Sequence, residues 1–266
     1  AVAPPTDLNV LARTVWSSNV ARSDSGALTV AGVAATDIAT EFGTPAYVVD
    51  EADFRARCQA WAAAFPDADV YYAGKAFLNT TVARWVAEEG LRLDVCTGGE
   101  LAVALHARFD PLRIALHGNN KSVSELIAAL DAGVGHIVVD SFDEIDRLAT
   151  LAAGRAPKPK VLIRATVGVE AHTHEFIATA HEDQKFGFSL AGGSAIEAAR
   201  RALASESLEL VGVHSHIGSQ IFDTAGFEVS AHRAVDLLRQ IRDEYGIELP
   251  ELDLGGGLGV AYVADD

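Results

Sequence analysis

The sequence predicts an α/β barrel of the (β/α)8 type, and two features of its 266 residues support that prediction. First, short apolar runs alternate with amphipathic stretches along most of the chain, as repeated strand–helix units do. Second, polar side chains follow the ends of many different runs. An open doubly wound sheet would also satisfy the alternation, but it would gather such side chains near one switch point. The barrel is therefore the preferred interpretation.

The predicted strands are rich in Val, Ile, Leu and Tyr, which suits parallel strands buried on both faces. They comprise residues 46–50, 69–72, 91–96, 113–117, 136–140, 160–166, 210–216 and 251–254. Helical patterns lie between them. Their expected N-caps are Asn79, Ser122 and Ser141, and glycines at 90, 133 and 154 mark their expected ends.

Polar residues or glycines stand near the C-terminal end of seven of these runs, on the side where a barrel builds its active site. They are Lys75, Asp94, His117, Asp140, Arg164, His216 and Gly255–Gly257. We expect them to meet at one mouth of the barrel. For Asp140 the simplest interpretation is an N-cap of the following helix.

Composition excludes several classes of partner. The net charge of −16 argues against nucleic acid and anionic membranes, because both need a basic face. The cysteines Cys58 and Cys96 fit neither a disulfide framework nor a paired metal motif, which favours a reducing cytoplasm. No stretch has the length of a membrane span, and the N-terminus has no signal-peptide pattern. We expect a cytoplasmic protein with a small-molecule partner.

Lys75 stands in VYYAGKAF (70–77), directly after an apolar run. A lysine desolvated at a crowded barrel mouth loses proton affinity and becomes an amine nucleophile that can form a Schiff base with an aldehyde. The alternative is a lysine at a strand end that extends its amine into solvent.

Three consecutive glycines, Gly255–Gly257, follow the last run in LDLGGGLG (252–259). Without side chains, their backbone N–H groups can approach a phosphate closely. A tight turn between strand and helix would need the same residues. The segment is neither GxGxxG nor a P-loop, so nucleotide binding is not favoured.

His214 and His216 alternate in VGVHSHIGSQ (211–220), so both point to one face of a strand. Gly218 and Ser219 follow and are small enough to contact an anion. A metal-binding His-x-His pair is the alternative, although no acidic residue follows at ligand spacing. A second such pair, His172 and His174, lies in a polar stretch and is interpreted as a loop feature.

Together these motifs resemble the alanine racemase-like fold of pyridoxal phosphate enzymes, and within it the diaminopimelate/ornithine/arginine decarboxylase family. DVCTGGE (94–100) and HGNNKS (117–122) match further segments of that family, and GVEAHTHEFIATAHEDQKFGF (168–188) resembles its actinobacterial diaminopimelate decarboxylases. The resemblance implies decarboxylation of meso-diaminopimelate to lysine and CO2, in lysine biosynthesis, by a homodimer with shared active sites. Ornithine, arginine or racemase substrates, a metal-dependent hydrolase and a non-catalytic relative are the alternatives.

The resemblance also implies roles for individual residues. Lys75 would bind pyridoxal 5′-phosphate covalently, and His216 would stack on its ring. The phosphate would be held by Ser219 and by Gly255, Gly256 and Gly257. Asp94 near the lysine and Arg164 near the ring oxygen would act from a second layer, or form a purely structural ion pair. Lys185 and Phe186 would order the loop after the fifth barrel strand. No metal is implied.

The resemblance also predicts the domain organisation. Residues 1–50 would pack with a C-terminal β domain that this sequence lacks, and residues 51–266 would form the cofactor-binding barrel, truncated after its seventh strand. The carboxylate that pairs with the pyridine nitrogen, the cysteine general acid and further substrate-binding residues would lie beyond Asp266. A barrel with two open edges is poorly stabilised, so we expect no activity from this chain by itself.

Overall fold

The structure is a computed structural model that describes residues 7, 9–169 and 185–264. Its residues fall into two units, divided between Ala68 and Asp69 and again between Gly259 and Val260. The stretch 170–184, which includes His172 and His174, lies outside the described residues. The interpretation of that second histidine pair therefore stays a prediction.

The first unit contains a small antiparallel sheet and two helices. The strands β1 (Val20–Arg22), β2 (Leu28–Val30) and β3 (Val33–Ala34) pair in that order, and the helices are α1 (Ala35–Phe42) and α2 (Glu51–Ala64). Asp50 caps α2 by accepting the backbone N–H groups of Ala52 and Asp53.

The predicted strand at residues 46–50 is wrong, because this run has no regular secondary structure. A strand of a parallel sheet buries both faces, whereas Tyr47 is fully exposed and Val48 and Val49 are exposed as well. The end of the run belongs to the next helix, since Asp50 is the cap of α2.

The second unit is built on parallel strands that form where the apolar runs were predicted. They are β4 (Tyr71–Ala73), β5 (Arg92–Val95), β6 (Ile114–Leu116), β7 (His136–Val139), β8 (Lys160–Thr166), β10 (Glu209–His214) and β11 (Glu251–Asp253). They are ordered β11-β10-β8-β7-β6-β5-β4, and a short strand β9 (Phe188–Ser189) adds to the end of β8. No periodicity predicted β9, which has only two residues.

Helices connect these strands: α3 (Thr80–Glu88), α4 (Gly98–His106), α5 (Val123–Ala132), α6 (Phe142–Ala152), α7 (Ser194–Ala204) and α8 (Ala225–Tyr245). The predicted caps are confirmed, because Asn79, Ser122 and Ser141 accept N–H groups at the starts of α3, α5 and α6. Asp140 is not a cap. Its neighbour Ser141 takes that position, which leaves the Asp140 carboxylate facing other partners.

The sheet curls into an incomplete barrel. His117 follows β6 and His214 ends β10, and two strands separate β6 from β10 in the sheet order. Their ring centroids are nevertheless only 4.7 Å apart, whereas three strand spacings in a flat sheet span roughly 14 Å. His136 of β7 and Glu251 of β11 likewise approach to 2.9 Å. The predicted barrel architecture is confirmed and the open sheet is excluded.

The core of this unit lies between the sheet and its helices. Leu93, Val95, Ile137, Val139 and Ile163 point outward from the strands and are fully buried, with relative exposures of 0–1%. At full burial, each such side chain contributes roughly 1.5–3 kcal/mol. Because alternate residues point inward, the concave face receives the intervening side chains, among them Asp94, Arg164 and His214. The same alternation therefore builds the core and the lining of the barrel.

Within the described residues, every helix is too short or too polar to cross a membrane.

Candidate active site

The polar residues that the sequence places at strand ends converge at one mouth of the curled sheet. Lys75 lies two residues beyond β4, which is one edge of the sheet. Its backbone is held there because the preceding residue, Gly74, donates its N–H to the carbonyl of Asp94 at 2.8 Å. We expected a desolvated lysine, but Lys75 is exposed. The reason is that β4 has a neighbouring strand, β5, on one side only within the described residues.

Four side chains form a row across the concave face below this mouth, which we call the His–Asp row: Asp94, His117, His214 and Asp253. Nδ1 of His214 lies 2.9 Å from Oδ2 of Asp253. The two imidazole rings meet edge to face, and Nε2 of His117 lies 3.5 Å from Oδ1 of Asp94. The row therefore runs from β11, at one edge of the sheet, to β5, next to the other edge.

Burial changes the proton affinities of this row. It raises the pKa of Asp94 to about 7, against the attraction of the neighbouring His214. Burial and the adjacent His214 lower the pKa of His117 well below its usual value. For Asp253, burial acts to raise the pKa, but the attraction and hydrogen bond of His214 outweigh it and hold the pKa below its ordinary range. The row thus combines an ionised Asp253 with an Asp94 that keeps its proton to a much higher pH than an aspartate in water.

The glycine loop Gly255–Gly257 follows β11 and packs against the loop that follows β10. Ile221 and the glycine loop exchange backbone hydrogen bonds, from Ile221 N to the carbonyl of Gly257 and from Gly259 N to the carbonyl of Ile221. At Gly257, with φ of +111°, an added Cβ would lie 1.9 Å from the carbonyl oxygen of Gly218. Only glycine fits there, so two backbone segments approach each other as closely as their atoms allow.

His216 borders the glycine loop. The N–H of Gly256 points to Nδ1 of His216 at 3.5 Å. Burial, followed by the positive charge of Lys75, lowers the pKa of His216 to about 4, so its imidazole is uncharged at neutral pH. Ser219 is exposed three residues further along the same loop. The structure thus brings His216, Ser219 and the three glycines together, as the sequence analysis expected.

Arg164 of β8 forms its ion pair with Asp140 and not with Asp94. Its guanidinium lies 3.6 Å from Asp140 and 4.3 Å above the ring of Phe186. Asp140 also accepts the N–H of Gly187 at 2.8 Å. Burial lowers the pKa of Arg164, but an arginine keeps its charge in proteins. These contacts hold a positive charge at the mouth.

A buried ion pair supports these contacts from outside the sheet. Nζ of Lys121 lies 2.7 Å from Glu144 and donates to the carbonyls of Gly118 and Val138. The other carboxylate oxygen of Glu144 accepts the N–H of Asp140 at 2.9 Å. Lys121 therefore fixes the loops after β6 and β7, and with them the position of Asp140. Lys121 and Gly118 belong to the HGNNKS segment, to which the sequence analysis gave no such role, and Glu144 was not singled out there.

Among the described residues, His214 and His216 do not belong to one group of possible metal ligands. Ligand atoms of His117, His214 and Asp253 lie within 4.8 Å of one another, a spacing that a metal ion can bridge, but His216 is outside this group. The contacts of Asp253 with His214 at 2.9 Å and with the N–H of Gly255 at 2.7 Å already use both carboxylate oxygens.

Asp253 is the functional residue that the sequence analysis missed. It stands in LDLGGG, a segment that the sequence analysis interpreted only through its three glycines. The signal that identifies it is an acidic side chain at the end of an apolar strand, in the position before a glycine loop. Its partner His214 was considered only together with His216, as two side chains on one strand face and as a possible metal-binding pair.

Comparison with known proteins assigns the chain to a family. The family described as "Pyridoxal-dependent decarboxylase, pyridoxal binding domain" matches residues 51–266. The diaminopimelate decarboxylase of Mycobacterium tuberculosis (strain ATCC 25618 / H37Rv) is 60% identical over 261 residues, which are 96% of this chain and 58% of that protein. That of Corynebacterium efficiens is 56% identical over 257 residues, 96% of this chain and 56% of that protein.

A solved structure agrees with these relatives. The crystal structure of diaminopimelate decarboxylase from M. jannaschii with L-lysine superposes with a TM-score of 0.84 at 31% identity, covering 94% of this chain and 59% of that chain. The chain thus spans a little more than half of the length of the proteins it matches.

Proposed function

The chain belongs to the pyridoxal-dependent decarboxylases, and from that premise we propose that it forms the cofactor-binding part of an enzyme that decarboxylates meso-diaminopimelate to lysine and CO2. The observation that carries the proposal is the convergence of Lys75, His216 and the glycine loop at one mouth of the barrel. Relatives named diaminopimelate decarboxylase, at 56–60% identity, support the substrate.

The residues at the mouth fit pyridoxal phosphate. The glycine loop presents backbone N–H groups without side chains, and an added Cβ at Gly255 would lie 2.7 Å from the carbonyl of Ser215. At Gly256, by contrast, a Cβ would meet nothing within 4 Å, which leaves room for a phosphate. Oδ1 of Asp94 is a buried acceptor that receives no hydrogen bond from the described residues, so it can serve a bound group.

Each residue has a part in holding the cofactor. Lys75 would bind it covalently through its amine, and Ser219 and the loop Gly255–Gly257 would hold the phosphate. His216 would lie against the pyridine ring, and its low pKa suits this role because an uncharged imidazole stacks on an aromatic ring without carrying a charge out of water.

The bound cofactor supplies an electron sink for the bond that breaks at Cα. The protein's own contribution is to orient the substrate and to hold protons. The Asp94 carboxyl can hold a proton near neutral pH, since its pKa is about 7. Arg164 would keep a positive charge near the ring, restrained by Asp140 and Phe186. If these residues hold the substrate in the orientation that the reaction requires, little further loss of substrate freedom is needed to reach the transition state.

The organisation of the enzyme is part of the proposal. Residues 1–50 would pack with a C-terminal β domain, and the exposed Phe42, Tyr47 and Val48 offer apolar surface for such a contact. The enzyme would be a cytoplasmic homodimer whose subunits share active sites. Sedimentation equilibrium on the full-length enzyme should give twice the mass of one chain, and a single-chain mass would contradict the dimer.

The cofactor proposal is tested on the full-length enzyme by its visible spectrum and by its activity. The wild type should show a visible absorbance band from the covalently bound cofactor, and borohydride should abolish this band. Lys75→Ala should lose both this band and at least about 10³-fold in rate, because the covalent anchor is absent. The exposed Lys158→Ala serves as the matched control and should behave as the wild type. A colourless wild-type protein would exclude the cofactor.

The substrate proposal needs a separate assay. Release of CO2 should be measured with diaminopimelate, ornithine and arginine under the same conditions, and we expect turnover with diaminopimelate only. A higher kcat/KM for ornithine or arginine would contradict the substrate while leaving the cofactor assignment intact.

A further inference from the structure

Asp253 links two parts of the site that lie on different loops. It ends β11 in register with His214 of β10, so the two side chains point into the barrel side by side. One carboxylate oxygen, Oδ1, accepts the N–H of Gly255 at 2.7 Å. The other, Oδ2, lies 2.9 Å from Nδ1 of His214. The carboxylate is therefore fixed on one side by a buried imidazole and itself fixes the glycine loop on the other.

The contact with Gly255 sets the path of the glycine loop. Gly255 has φ of +67°, a left-handed conformation, and the carboxylate two residues earlier stabilises this turn by accepting its N–H. The turn delivers the N–H of Gly256 to His216. The path of the glycine loop, and its contact with the His216 ring, therefore depend on where the Asp253 carboxylate lies.

The contact with His214 determines where that carboxylate lies. His214 is 4% exposed, and its ring packs edge to face on His117, which is 7% exposed. A ring enclosed in this way cannot move far, so it provides a rigid anchor for Oδ2. If the carboxylate contacted only Gly255 in its own turn, it would move together with the end of the edge strand β11. The glycine loop would then move with it.

We propose that Asp253 is a positioning residue that fixes the glycine loop for the cofactor phosphate, through Gly255 on one side and His214 on the other. This inference rests on the proposed function, because it presumes that the loop binds the phosphate of pyridoxal phosphate. Asp253 itself touches neither the cofactor nor the substrate in this role.

The role predicts a loss of affinity that depends on the phosphate group. Dissociation constants for pyridoxal 5′-phosphate and for pyridoxal, which lacks the phosphate, should be measured by absorbance titration of the full-length apoenzyme. Asp253→Asn keeps an acceptor for Gly255 but loses the charge that faces His214, and should weaken pyridoxal phosphate binding about 3-fold. Asp253→Ala loses both contacts and should weaken it at least about 10-fold. The affinity for pyridoxal should stay within about 2-fold of the wild type in both variants.

The ratio of the two constants separates positioning from a general structural role. A variant that is merely less stable would lose affinity for both ligands alike. Asp236→Asn, an exposed carboxylate on α8, is the matched control and should leave both constants unchanged. Circular dichroism would show whether each variant is folded, and the near-isosteric Asn variant provides the test if the Ala variant does not fold.

Two outcomes distinguish this inference from the proposal on which it rests. If the wild type binds no pyridoxal phosphate, the proposed function fails. If the wild type binds it and the Asn variant keeps the wild-type ratio of the two constants, Asp253 does not position the phosphate loop, and the proposed function stands without it.

Discussion

Asp94 shows how the curled sheet changes the chemistry of a single side chain. Carboxylates of aspartate are ionised at neutral pH in water, but burial raises the pKa of Asp94 to about 7. The folded chain therefore binds a proton that the unfolded chain releases near pH 4. The stabilising contribution of this proton is complete below pH 4 and is lost as the pH rises through about 7.

The variant Asp94→Asn tests this shift, because an amide resembles the protonated carboxyl at every pH. Without cofactor, we expect the variant to match the wild type near pH 4 and to exceed its free energy of unfolding by about 2–4 kcal/mol at pH 8. Urea unfolding at the two pH values measures the difference. Asp236→Asn, on the exposed face of α8, should show no such trend, and a parallel pH dependence in both variants would contradict the raised pKa.

For single residues, the sequence predicted which side chains lie at the strand ends better than it predicted which other side chains they contact. Lys75, His216 and the glycines lie at the mouth where they were expected. The partner of Arg164 is Asp140 and not Asp94, and Asp253 was missed, because which side chains meet depends on the curl of the sheet. The exposure of Lys75 was not predictable either, since it follows from the position of β4 at an edge.

Within the glycine loop, neighbouring glycines are required for different reasons: one by packing, the other by the proposed binding of a ligand. Gly257 is required by packing, because an added Cβ would lie 1.9 Å from a carbonyl oxygen and the backbone has a positive φ. Gly256 meets no atom within 4 Å at the Cβ position, so packing leaves a side chain free to occur there. We attribute its lack of a side chain to the cofactor phosphate that we propose to bind there.

Alanine at these two positions should therefore have opposite effects. Gly257→Ala should lower the free energy of unfolding by about 2 kcal/mol or more, since clash and left-handed strain add. Gly256→Ala should change it by less than about 0.5 kcal/mol yet weaken pyridoxal phosphate binding at least about 10-fold. Thermal unfolding of the apoenzyme and an absorbance titration give the two quantities. Equal destabilisation by both variants would contradict the distinction.

The strands and helices were predictable where local physics decides them. Seven apolar runs became the seven principal strands, and Asn79, Ser122 and Ser141 cap their helices because a side-chain oxygen satisfies a free N–H wherever the chain turns into a helix. The run at 46–50 has the same composition as a strand but no partner to pair with among the described residues. The hydrophobic pattern of a run does not show whether another strand is available to form hydrogen bonds with it.

At the scale of the cofactor-binding unit, polar contacts across the concave face join strands that are distant in the sheet. His136 of β7, which is 8% exposed, lies 2.9 Å from Glu251 of β11, although β8 and β10 stand between them. The contact is at the opposite end of the strands from the site. It therefore stabilises the curl at the N-terminal ends of the strands, while the His–Asp row crosses the interior nearer their C-terminal ends.

Replacing Glu251 by leucine would remove the carboxylate that lies 2.9 Å from Nε2 of the buried His136. We expect Glu251→Leu to lower the free energy of unfolding by about 1–3 kcal/mol. The matched control is Glu209→Leu, an exposed glutamate at the start of β10, which should change it by less than about 0.5 kcal/mol. Urea unfolding of both variants makes the comparison, and equal values would show that the contact does not stabilise the curl.

The order of the strands gives the cofactor a second effect. Lys75 follows β4 and the glycine loop follows β11, and these strands are the two opposite ends of the hydrogen-bonded series. A molecule bound to both would connect the first strand to the last and bridge the gap that the backbone ladder leaves open. Folding of the barrel would then be coupled to the concentration of free pyridoxal phosphate. Each tenfold rise in free cofactor above its dissociation constant would add about 1.4 kcal/mol to the stability of the barrel.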